Sequence, residues 1–486
     1  MTAVATTERE LSKNLQALVD TCFEEGQYEA GIDLLLNICT PKARPFAPHV
    51  RQVLYMALYP PPPENDPAAI TAGNISPSKI NLKRKRSALL PTPEATAAAN
   101  RCMFHMALAC SPASIMRAIP SYPPPGVGNF VMKDEDEDES YIARVTHRCF
   151  THIRTCWDVL REGFVRRKRL DVPGDNRRGR RIADDVDAEE EELEEGVEES
   201  AVGRHAWLVL EWLIMIFKND QDAHVRNGTQ RHSPLLLAQI PPSKTGQGPR
   251  WDAKEPLDVV FCCMDQADIH KRSLGGDLMS LLVNLTSSPD FDTSIFADQV
   301  VNRTAASVDT LSNLFLASTP SPALNTFKTV VYVKCLGIPA PSATGSSRPK
   351  ARGRLPPRAR RIGAADPELS GPNPIVTPRD KPPNPDEVVN VLGAPSAAPD
   401  AGRLKCELLL SCVPHQGQEW HAFKTGGRIA EVMQEVFEQE GIDQHVKDVV
   451  SIAFGDANLN PSCFVGRDGV SSSTLSSSTS DLLGVS

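Results

Sequence analysis

The sequence predicts an all-α chain, either an irregular helical repeat or a multi-helix bundle, interrupted by long disordered loops. Three observations carry this. Apolar residues recur at helical spacing in most of the chain. The prolines, 41 in 486 residues, gather between those stretches. No β-hairpin signal is present, and strands do not alternate with helices. Hydrophobic residues at 41% and charged residues at 23% are ordinary for a globular chain, so any disorder must be local.

Residues 1–60 read as an N-terminal helical segment of three helices. Leu11, Leu15, Leu18 and Cys22 form the first amphipathic stripe, which Gly26 breaks. Tyr28, Ile32, Leu35 and Cys39 form the second, stopped by Pro41, Pro45 and Pro48. Val50, Val53, Leu54, Ala57 and Leu58 form a third, ended by Pro60–Pro63. Residues 61–95 read as a disordered linker rich in Pro, Ser and Asn. The main helical domain is expected over 96–337. Its first helix runs from about Pro93 to Ala118. A second runs from Tyr141 to about Arg166, with Ile142, Val145, Cys149, Ile153, Cys156, Leu160 and Phe164 as its apolar face. A disordered charged insertion, 166–203, opens with cations and continues with 11 acids between Asp184 and Glu199, since blocks of like charge repel and stay solvated.

Ala206–Phe217 is apolar on nearly all sides, which predicts a central buried helix. Helices follow over Ser273–Thr286, about Phe296–Ala317, and Pro322–Leu336. The last holds the β-branched run Thr329–Val333, compatible with a strand; its helical neighbours and the lack of a partner strand favour helix. Residues 338–402 read as a disordered basic, Pro-rich linker, 403–456 as a C-terminal helical segment, and 457–486 as a Ser-rich disordered tail. Helix pairs of this length suit an armadillo/HEAT-like solenoid, although no sequence repeat recurs at a fixed period.

The charges, net −9, fall in blocks of one sign, and these carry the functional reading. Lys83, Arg84, Lys85 and Arg86 stand in the Pro/Ser-rich linker, where four exposed cations suit the acidic groove of a nuclear import receptor. Arg166, Arg167, Lys168 and Arg169 form a second such cluster. Residues 348–361 hold seven cations and no acid. Within them Arg352, Gly353 and Arg354 resemble an AT-hook, a short peptide that lays arginines into the narrow minor groove of A·T-rich DNA; Leu355 stands where that motif has Pro. The resemblance implies possible DNA contact. Ser76-Pro77-Ser78-Lys79 resembles a target of proline-directed kinases, and phosphate on Ser76 would set negative charge beside the import cluster.

Other classes are disfavoured. The longest apolar run, 12 residues with Glu211 inside it, is too short to span a membrane, and the first residues do not form a secretory signal. The twelve cysteines are scattered and read as reduced, small hydrophobes. His147, Cys149, His152 and Cys156, and Cys406, Cys412, His415 and His421, contain metal-ligand types. The first set is read as one helix with three of the four facing the core, and the second matches no common zinc spacing, so no metal is expected. No motif for a nucleophile elbow, zinc protease or phosphate loop occurs, so neither catalysis nor a small-molecule substrate or cofactor is expected. The expectation is a nuclear helical scaffold that binds other proteins of a chromatin- or transcription-associated complex. A direct DNA-binding protein acting through 348–361, and a cytoplasmic helical-repeat adaptor, are the alternatives.

Overall fold

The computed structural model describes residues 8–61, 89–122, 140–165, 200–242, 249–250, 252–305, 307–337, 383–396, 398, 400–438 and 442–457. Among them the chain is all-α: nineteen α-helices, and one parallel ribbon of two-residue strands. The chain divides into two units. The first runs through Val300 and includes Asp309–Leu324; the second holds Val301–Val308 and most of the chain from Asn325 on.

In the first unit, β1 (Arg9–Glu10) pairs in parallel with β2 (Ala43–Arg44), closing the loop around α1 (Lys13–Glu24) and α2 (Tyr28–Ile38). The centre is α3 (Ala47–Ala57): every residue from Pro48 to Tyr59 is buried, including His49, Arg51 and Gln52. Helix α4 (Pro93–Ala109) packs against α2 and α3 with its small residues Ala95, Ala98, Ala99 and Cys102. Small side chains let the backbones approach closely, and Thr92 caps the helix by accepting from the Ala95 N–H at 3.0 Å.

The unit continues through α5 (Pro112–Met116), α6 (Tyr141–Thr151), α7 (Cys156–Leu160), α8 (Trp207–Arg226), α9 (Pro234–Ala238), α10 (Lys254–Met264), α11 (Ile269–Asn284) and most of α12 (Thr293–Thr304). Helix α8 docks on α4, where the Trp212 indole donates to the Met103 carbonyl at 2.8 Å. Trp157 likewise donates to the Gln239 carbonyl at 3.2 Å, so both buried indoles are satisfied. A Cβ on Gly276 would overlap the carbonyl of Ala317, the last residue of α13 (Val308–Ala317), and one on Gly275 would stand 2.8 Å from the Cys263 Cβ of α10. The glycine pair is what lets α11 approach both neighbours.

The second unit is built on α14 (Pro322–Leu336, whose first turn belongs to the first unit), α15 (Pro385–Gly393), α16 (Ala401–Cys412), α17 (Gln418–Thr425), α18 (Gly427–Phe437) and α19 (Gln444–Ala457). Helix α15 packs on α18, and α16 packs on α19. Lys405 is 2% exposed, yet its ammonium donates to the Ala394 carbonyl at the C-terminal end of α15, 3.0 Å away. A cation there meets the negative end of the helix dipole.

Several details differ from the sequence reading. On α1 the buried residues are Val19 and Phe23, while Leu15 and Leu18 of the expected stripe stand 36% and 50% exposed. The apolar arc is wider than the surface that covers it. The helix expected from Tyr141 to Arg166 breaks after Thr151, because Asp158 accepts from the Arg154 and Thr155 N–H groups and starts α7. The buried residues of α6 are Ile142, Ala143, Thr146 and Phe150, roughly one position off the expected face. The helix from Pro93 stops at Ala109, and Ser111 with Pro112 begins α5. The stretch from Phe296 to Ala317 is two helices, separated at Ala305 with φ 49°. The run Thr329–Val333 is helical. Helix α15 lies inside the stretch 338–402 assigned to a linker; Asn384 caps it, Pro385 opens it, and Val388, Val389 and Leu392 make its buried side. Helix α8 leaves Leu208 46% exposed, so the fully enclosed helix is α3 rather than the Ala206–Phe217 stretch.

Candidate functional site

The first unit carries an open groove of about 770 Å³ along α1. One wall is the α1 face of Lys13, Gln16, Ala17, Asp20, Thr21 and Glu24, whose spacing of three and four places them in a row. The opposite wall and floor come from Arg44, Pro45, Phe46, Ala47, Pro48 and Gln52, with Glu10, Leu11 and Arg117 at one end. Phe46, the N-cap of α3, is extended, and Pro48 stands in the helix's first turn, where its missing N–H costs no hydrogen bond.

The groove is fixed from below. The His49 ring is 1% exposed; its Nε2 lies 2.7 Å from Asp20 Oδ1, and it meets the rings of Phe46 and Phe23 edge-on at 5.1 and 6.2 Å. At one end Glu8 hydrogen-bonds Ser114 and accepts from the Ser111 N–H at 3.3 Å. Burial opposes its ionisation, but these bonds, with Arg44 nearby, outweigh that and hold its carboxyl below the ordinary value. Arg44 is within 3.8 Å of Glu8 and 3.7 Å of Glu10, and Arg117 within 3.9 Å of Glu10. The cations at that end are thus partnered. Gln52 is 2% exposed and its Oε1 accepts no hydrogen bond. A second cavity of about 310 Å³ lies between Tyr59, Pro60, Pro61, Pro91, Trp207 and Leu208. The Lys271 ammonium sits 4.3 Å from the Trp207 ring.

The second unit holds a buried polar seam. Thr329 Oγ1 lies 2.8 Å from His415 Nε2 and 3.0 Å from Ser411 Oγ. Lys424 donates to the carbonyls of Val413 and His415 at 2.5 and 2.6 Å, and the Trp420 ring lies 4.6 Å from the imidazole. Burial, with the Lys424 charge second, lowers the His415 pKa to about 4, so the ring is neutral near pH 7. A hydroxyl beside a neutral imidazole has the parts of a nucleophile and base, but all three residues are buried. What the arrangement does is hold α14 to α16.

Of the residues singled out from sequence, Lys83, Arg84, Lys85, Arg86, Arg166, Arg167, Lys168, Arg169, Arg352, Gly353, Arg354 and Ser76 all lie outside the described residues. Of the two Cys/His sets, Cys156, Cys406 and Cys412 are buried, but His152 and His421 are exposed. His152 was expected on the core side; the break after Thr151 turns it outward. Among the described residues no three His, Cys, Asp or Glu side chains gather to hold a metal ion. No described helix is long and apolar enough to cross a membrane. Gln52 and the Asp20–His49 pair were missed. Their signal was three polar residues, His49, Arg51 and Gln52, inside a helix that reads as core. With this geometry in hand, comparison of the chain with protein-family models, with curated proteins and with solved structures finds no match.

Proposed function

We propose that this chain is a nuclear α-helical scaffold, an interaction subunit of a chromatin- or transcription-associated assembly, and that it takes a protein partner in the groove along α1. The observation that carries the reading is the groove itself. It is open and walled by one helix face, and it joins apolar floor residues to polar rims, as helix- and peptide-binding surfaces do. Leu15 and Leu18 are exposed on another face of the same helix, away from the groove. The nuclear part of the reading rests on the basic clusters Lys83–Arg86 and Arg166–Arg169 and on their place between helical stretches.

Ala17 is exposed on the groove wall, so Ala17→Arg fills the groove without disturbing the core. Full-length wild type and Ala17→Arg, each tagged and purified from nuclear extract, should melt alike and differ in their partners. At least one protein that co-purifies with wild type should fall about tenfold with the variant, a loss of about 1.4 kcal/mol. An identical partner set would remove the groove from the function.

A further inference from the structure

We propose that the groove along α1 accepts an extended peptide bearing lysine or arginine, whose cation meets Asp20 and Glu24 while an N–H of the peptide donates to Gln52 Oε1. The inference rests on the reading of this groove as the partner site and adds the chemistry of what enters it.

Gln52 supplies the first observation. It is 2% exposed, it lines the groove, and its amide oxygen has no donor. A buried acceptor left without a partner is costly, so such groups are few and the great majority are satisfied. A turn of the Gln52 side chain toward the groove it lines would bring this buried oxygen to an entering N–H.

Charge supplies the second. From Asn14 to Pro41 the α1–α2 hairpin contains Asp20, Glu24, Glu25, Glu29 and Asp33 and no lysine or arginine. Asp20 and Glu24 line the groove in the last turns of α1, where the helix dipole adds further negative potential. The groove's own cations do not neutralise that end. Arg44 and Arg117 are engaged by Glu8 and Glu10, and Lys13 opens the helix at its far end, about 16 Å from Glu24 at 1.5 Å per residue.

Shape supplies the third. The same 16 Å accommodates about five residues of extended chain. The floor of Pro45, Phe46 and Pro48 suits the methylene stem of a lysine or arginine whose head reaches the acidic rim. Phosphate-rich ligands would meet repulsion at Asp20 and Glu24, so a basic peptide is favoured over nucleic acid for this surface.

The test is fluorescence anisotropy on the full-length chain. The probe is a labelled eight-residue Gly/Ala peptide with one Lys and one Arg, compared with the same peptide carrying two Glu. The basic peptide should bind at least tenfold tighter, and added salt should weaken it. Glu24→Lys should cost about tenfold in affinity. Gln52→Leu should also cost about tenfold, yet leave the melting temperature unchanged or raised, because it removes an unsatisfied buried acceptor. Equal binding of the two peptides, no binding of either, or indifference to both variants would overturn the assignment. So would a peptide that binds only after Lys83–Arg86 are replaced by Ala, since this chain's own basic run would then be the occupant. If the peptide fails while Ala17→Arg still strips a nuclear partner, the charge chemistry is wrong and the groove reading stands.

Discussion

At the scale of single residues, the sharpest consequence concerns His415. Its folded pKa of about 4 lies below the ordinary 6.5, so between those values the unfolded chain holds a proton that the folded chain does not. The stability this histidine contributes is therefore complete above about pH 6.5 and is lost as pH falls toward 4. The total is about 3 kcal/mol. Lys424 and Trp420 frame the ring. Denaturant melts of the second unit's signal between pH 7 and 4.5 should show the loss in the wild type and a flatter profile in His415→Gln. An equally steep profile in the variant would place the titration elsewhere. Little of this was legible beforehand. His415 was visible only as a member of a Cys/His set with no metal spacing, because the hydroxyl that engages it comes from Thr329, some eighty residues earlier.

At the scale of elements, the glycine pair in α11 makes a second expectation. Alanine is the better helix former by roughly 1 kcal/mol, so Gly→Ala would stabilise an isolated helix. Here a methyl on Gly276 would overlap the Ala317 carbonyl, a backbone group that cannot step aside cheaply. Gly276→Ala should lower stability by about 2 kcal/mol, within the range for overpacking. Gly393→Ala, at the end of α15 with open space around it, should be neutral or slightly stabilising. Thermal melts of the two variants check this, and a neutral Gly276→Ala would mean that α11 is free to slide. Periodicity located most of the elements, because helices are written locally. It failed where a break depends on a few residues, as at Thr155–Asp158 and Ser111–Pro112, and where a short helix sits in linker-like composition, as α15 does. It also chose the wrong face of α1, since which part of an apolar arc is covered depends on distant helices.

At the scale of the whole molecule, the proposal that this chain works by holding other proteins rests on its open groove and on the charged clusters between its helical stretches. The fold class was legible because composition and helical spacing agree along the chain. The groove was not, because it is made by α1, the segment before α3, and Arg117, which only the fold brings together. The most direct test of the central claim is purification of the tagged full-length chain from nuclear extract, with and without nuclease, followed by mass spectrometry. A stoichiometric set of protein partners that survives nuclease is the expected result. Partners that vanish with nuclease would contradict it and make nucleic acid the ligand, with Arg352–Arg354 as the contact to examine.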